Sequence, residues 1–132
     1  MKFRSTRGGG EVVGFREALL KGLAPDGGLY EPTDEPDLRT TIRRLGPQSE
    51  FTETAAAMLA GLFPEEYPPD KAEEIAGSAF PFSPELMDLG NGIQLLELFH
   101  GPSCAFKDFG ASFLATAMED FLVDTDRRAV IL

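Results

Sequence analysis

The sequence predicts an α/β chain in two parts: a mainly helical region over residues 1–83, then the first strands and helix of a second, truncated domain over 84–132. Three observations predict it. Apolar residues recur at helical spacing in four segments before residue 83. After Pro84 the texture changes to a hairpin pattern around Asn91-Gly92. The final Ala129-Val130-Ile131-Leu132 is apolar without alternation, as in a strand buried on both faces of a parallel sheet.

Residues 1–6 read as an extended segment closed by the Gly8-Gly9-Gly10 turn. A short amphipathic helix follows, with Phe15, Leu19, Leu20 and Leu23 on one face. Gly22 and Pro25-Asp26-Gly27-Gly28 stop it, and Leu29-Tyr30 leaves room for a very short strand. Leu38, Ile42 and Leu45 mark a second helix, ended by Gly46-Pro47. Ser49 is the expected N-cap of the third, with Glu50 and Glu53 in its first turn, where the helix dipole favours anions. Its buried stripe is Phe51, Ala55, Met58, Leu59 and Leu62. Pro68-Pro69 opens a fourth helix whose apolar side is Ala72, Ile75, Ala76 and Ala79. Beyond the hairpin and the loop His100-Gly101-Pro102-Ser103, a helix is expected over about 107–123, with Phe109, Phe113, Ala117 and Phe121 on one side. A strand–helix–strand unit needs neighbours on both sides. A natural domain rarely ends four residues into a central strand, so the sequence reads as the N-terminal piece of a longer protein.

Composition narrows the function. Twenty-two acidic against 12 basic residues give a net charge of −10, which repels nucleic-acid phosphates. Residues 50–74 hold seven acids and one lysine, read as the solvated face of two helices rather than an acidic binding patch. Cys104 and His100 are each the single example of their type. They permit no internal disulfide and cannot fill a tetrahedral zinc site alone, so no metal site is expected. No apolar stretch approaches the 20 or so residues that cross a bilayer, and the basic N-terminus lacks the apolar core of a signal peptide. The expected compartment is the cytoplasm.

The chemistry concentrates in Leu98-Phe99-His100-Gly101-Pro102-Ser103-Cys104-Ala105-Phe106-Lys107-Asp108-Phe109-Gly110. Here a lysine sits at a loop-to-helix junction between two phenylalanines. Apolar walls and the positive end of a helix both disfavour an ammonium, which frees the amine for nucleophilic use, as in a Schiff base to an aldehyde. The alternative is a snorkelling lysine whose head reaches water or pairs with Asp108. For His100 and Cys104 packing is favoured over metal ligation, and Asp108 is read as a helix N-terminal anion rather than an acid catalyst.

Residues 99–110 resemble the lysine motif of threonine synthases, usually FHGPTxAFKDFG. Ser5-Thr6-Arg7-Gly8 and the run from Leu20-Lys21-Gly22 to Gly28-Leu29-Tyr30 are similar to that family's STRG and GLAPDGGLY segments. Three blocks in family order carry the likeness, departing at Ser103, where threonine is usual. The resemblance implies the start of a fold-type II pyridoxal-phosphate enzyme that converts O-phosphohomoserine and water to threonine and phosphate. It implies that Lys107 binds the cofactor and acts in catalysis and that Ser103 contacts cofactor or substrate; Arg7 is a candidate substrate-phosphate ligand only on chemical grounds, because a guanidinium forks onto phosphate. Thr6 falls in the same block without a derived role. The family's phosphate-binding loop would begin past Leu132, so the implied partner is the rest of the same chain, and the piece alone is expected to be inactive. The rival readings are a sister phospho-lyase of the same fold and a non-catalytic interaction module ending at Leu132.

Overall fold

The computed structural model describes residues 1–130. Strand β1 (Lys2–Ser5) is the centre of an antiparallel three-stranded sheet ordered β2-β1-β3, with β2 at Val13–Gly14 and β3 at Tyr30–Pro32. Phe3 lies opposite Val13 on one side and Pro32 on the other. The turn between β1 and β2 uses Gly8 at φ 78° and Gly10 at φ 87°, a region closed to most side chains. The sequence shows that turn but not β2, because two residues carry no period.

Helix α1 (Phe15–Lys21) buries Phe15 and Ala18. It ends at Gly22 with φ 70°, so Leu23 falls beyond the helix and is exposed, contrary to the expected four-residue face. Helix α2 (Arg39–Arg44) buries nothing of its own; Leu38, just before it, packs where a side chain at Gly61 would have to go. Helix α3 (Phe51–Leu62) starts from Glu50 rather than Ser49. The Ser49 hydroxyl instead accepts the Gly46 N–H at 3.1 Å, closing the preceding turn. Helix α4 (Pro69–Ala79) opens on its proline and buries Ala72, Ile75, Ala76 and Ala79, the four residues its spacing selects.

Strands β4 (Glu85–Gly90) and β5 (Ile93–Glu97) form the expected hairpin. Asn91 (φ 54°) and Gly92 (φ 76°) both take left-handed conformations, as a two-residue hairpin turn requires. Helix α5 (Lys107–Leu122) follows.

The core is aromatic. Phe15 stacks on Phe63 at 3.8 Å between centroids, and Tyr67 lies parallel to Phe121 at 5.7 Å. Phe121 brings α5 into this cluster, fastened by the Arg16 guanidinium donating to the Phe121 carbonyl at 2.5 Å and by a Lys71–Asp120 ion pair at 2.6 Å. Nearer its start, α5 sets Phe109 edge-on to Phe51 and Phe82. Of the acids between 50 and 74, all but the half-buried Glu66 are exposed, which is the solvated face expected. Ala129 and Val130 take no regular structure and are exposed, so the expected strand is not formed there; its remaining residues, Ile131 and Leu132, lie outside the described residues.

Candidate functional site

The junction into α5 is built around one carboxylate. Asp108, in the first turn, accepts the Ser103 N–H at 2.8 Å and the Ser103 hydroxyl at 2.5 Å. The hydroxyl, aided by the N–H groups of Ser103 and Ala105, holds the Asp108 carboxyl below the usual carboxylate range against a smaller opposing effect of burial. Gly101 is buried against this residue, and a Cβ there would stand 2.6 Å from the Asp108 Cβ. Cys104 completes the turn at φ 56°, its N–H donating to the Gly101 carbonyl at 3.1 Å. Asp108 is thus a helix N-terminal anion, as its position predicts, and both its oxygens serve Ser103 rather than Lys107.

Lys107 stands at the first position of α5 and is exposed. Its two phenylalanine neighbours do not enclose it: Phe106 points to solvent at 69% exposure, and Phe109 packs inward. The expected apolar walls are nonetheless present. A groove of about 900 Å³ runs between α3, β5 and α5, lined by Met58, Leu62, Leu96, Phe106 and Phe113 among others, and Lys107 is its one charged lining residue among the described residues. Lys107 is therefore exposed to water while it borders the hydrocarbon of the groove.

Arg7 belongs to a different cluster. The Asp26 carboxylate accepts the Ser5 hydroxyl at 2.6 Å and the N–H groups of Gly9 and Gly28 at 2.9 Å each. The Ser5 hydroxyl leads in lowering the Asp26 pKa below its ordinary value. The Arg7 guanidinium donates to the Asp26 carbonyl at 3.0 Å, and its N–H to the Ser5 hydroxyl at 3.1 Å. Thr6 also has a place: its hydroxyl accepts the Leu29 N–H at 3.0 Å. Ser103 lies in the loop that leads into α5 and Lys107 at the first position of that helix, with no hydrogen bond between them among the described residues, and Arg7 is joined to Asp26 instead.

A third cluster was not foreseen. His100 turns to Glu97, with Nε2 2.9 Å from Oε2, and lies 4.0 Å from Glu85 Oε2; its ring sits 4.7 Å from that of Phe99.

The two clusters around Asp26 and Asp108 hold the three sequence blocks that stand out, and comparison with known proteins points to one family. The family model described as threonine synthase N terminus matches residues 2–80. The chain belongs to this family. Threonine synthase from Schizosaccharomyces pombe is 37% identical over 128 residues, covering 92% of this chain and 25% of that protein. Threonine synthase from Escherichia coli is 34% identical over 115 residues, covering 87% of the chain and 27% of the relative. Among solved structures, pyridoxal-phosphate-bound threonine synthase from Brucella melitensis superposes with a TM-score of 0.82 at 40% identity, over 93% of this chain and 28% of that one. The fold is therefore the mixed α/β N-terminal part of a threonine synthase. The chain spans about a quarter of the length of the curated relatives it matches. No described helix is long and apolar enough to cross a membrane.

Proposed function

We propose that this chain is the N-terminal part of an enzyme that converts O-phosphohomoserine and water to L-threonine and phosphate with pyridoxal 5'-phosphate, and that Lys107 carries the cofactor. The observation that supports the lysine is its place: an exposed amine at the head of α5, alone among hydrocarbon side chains at the edge of a groove. These residues fit the cofactor's reactive end. The amine is accessible for covalent attachment, and apolar walls suit the faces of a pyridine ring.

When bound, the cofactor supplies the electron sink for eliminating phosphate and adding water at the β-carbon. The chain's own contribution is positional and protonic. Lys107 Nζ, once free, moves protons at substrate carbon. The Asp108–Ser103 pair fixes the loop that leads into it, and the Ser103 oxygen keeps lone pairs to accept a hydrogen bond from cofactor or substrate. Arg7, held by one nitrogen on the Asp26 carbonyl, keeps the rest of its fork for the phosphate of the substrate. The Ser103 N–H is spent on Asp108, so the grip on the cofactor phosphate is assigned to segments outside this chain. In this reading residues 1–83 form the N-terminal domain and 84–132 open the cofactor domain, the isolated chain does not turn over, and the enzyme works in the cytoplasm.

The test is borohydride reduction of the full-length enzyme with cofactor, followed by peptide mass mapping. The expected adduct is on Lys107, and Lys107→Ala loses both adduct and turnover. An adduct on another lysine refutes the assignment. Turnover of phosphothreonine but not phosphohomoserine replaces the reaction with that of a sister phospho-lyase.

A further inference from the structure

We propose that Glu85, Glu97 and His100 form a site for one divalent first-row transition ion, of the Zn²⁺ or Mn²⁺ kind. The starting point is the strand register. Glu85 stands directly opposite Glu97 across the antiparallel pair, at the open end of the hairpin. Two carboxylates facing each other in this way repel and weaken the pairing unless a cation lies between them. His100, three residues past Glu97, places Nε2 at that point.

The spacing suits a metal. One ligand atom from each residue lies within 4.8 Å of the others, with Nε2 at 2.9 Å from Glu97 and 4.0 Å from Glu85. Donors sharing an ion at bond lengths near 2.1 Å lie about 3.0–3.4 Å apart. The Glu97–His100 pair, at 2.9 Å, stands just under that spacing and needs only a small opening, and Glu85, whose exposed side chain is free to turn, must close by about 1 Å. Glu97 is the firm member, with its side chain only 12% exposed. One imidazole nitrogen and two carboxylates suit borderline divalent ions, and three protein ligands leave positions for water. Cys104, the other metal-seeking side chain, takes no part. An ion here would tie the end of the hairpin to the loop that carries Gly101 and Ser103.

The single histidine makes the test unambiguous. Zn²⁺ and Mn²⁺ are titrated into the ¹⁵N-labelled chain, following the imidazole resonances by NMR and stoichiometry by calorimetry. The expected result is one ion per chain, a Zn²⁺-dependent shift of the His100 ring to the Nε2-bound pattern, and broadening of the same signals by Mn²⁺. Glu85→Gln and His100→Gln each weaken binding at least tenfold with the far-ultraviolet circular dichroism unchanged, whereas Cys104→Ser binds as the parent does. Ring signals that do not move at 1 mM Zn²⁺ overturn the site without reference to any variant. Binding that survives both substitutions, or disappears in Cys104→Ser, overturns it as well.

Discussion

Replacing Gly101 by alanine tests the structure where the loop meets α5. The added methyl would lie 2.6 Å from the Asp108 Cβ and 2.9 Å from its Cγ, well inside van der Waals contact. Neither atom belongs to the free end of a flexible side chain, because both Asp108 oxygens are engaged by Ser103. Relief therefore requires Asp108 to withdraw, which breaks the two hydrogen bonds that close the loop. Forcing one carbon into a packed site of this kind costs about 1–3 kcal/mol. At about 2 kcal/mol the melting temperature of a domain this size falls by roughly 8 °C. The matched control is Gly77→Ala in α4, where a Cβ meets nothing within 4 Å. There alanine's better helix propensity raises stability by up to about 1 kcal/mol. Urea unfolding with circular dichroism measures both, and hydrogen exchange at the Ser103 amide reports the loop itself. Equal stability of the two variants, with an unchanged Ser103 exchange rate, would refute the claim that Gly101 is required for close approach.

Two further outcomes are expected. Tyr67 is fully buried, which pushes its pKa up, and its hydroxyl has no hydrogen-bond partner among the described residues. Tyr67→Phe should raise stability by about 1 kcal/mol in the same unfolding assay, since the lost group carries an unpaid desolvation cost; a loss of stability would mean that the hydroxyl is satisfied. Asp26 has its folded pKa lowered from 3.8, chiefly by the Ser5 hydroxyl, so its contribution is present above that value and is lost as pH falls through the folded pKa. Asp26→Asn should lower stability at pH 7 and flatten the acid limb below pH 3.8, measured by melting temperature against pH; an unchanged acid limb would place the titrating group elsewhere.

The long periodic elements were legible in the sequence. The α4 stripe of Ala72, Ile75, Ala76 and Ala79 is buried as its spacing requires, and Asn91-Gly92 forms the turn its left-handed preference dictates. Local composition could not resolve choices made by tertiary contact. Ser49 is as good a cap as its neighbours suggest, but its hydroxyl closes the Gly46 turn instead. In the sequence Glu50 of the α3 charge run and Glu97 of the hairpin look alike, yet Glu97 is largely shielded and faces a histidine while Glu50 is exposed. The hairpin bulge between Asp88 and Gly90 is what brings Glu85 opposite Glu97. Without it Glu85 would face Leu98, and no hydropathy pattern announces a bulge. At the site, the Lys107 junction was visible as a polar residue in an apolar run, but the outward turn of Phe106 was not, because side-chain direction at a helix start depends on the loop before it.

The contact between Arg16 and the Phe121 carbonyl spans 105 residues, whereas the β2-β1-β3 sheet closes entirely within the first 32. The two therefore belong to different moments in the life of the chain. During synthesis the sheet and its Asp26 clasp can assemble while most of the polypeptide is still unmade, but Phe15, Phe63 and Tyr67 wait with an open aromatic face until α5 leaves the ribosome. Local closure is quick and long-range closure slow. A stall in translation before residue 121 would hold the nascent chain in its most adhesive form, with its fast-folding part complete and the ring that seals the core still missing.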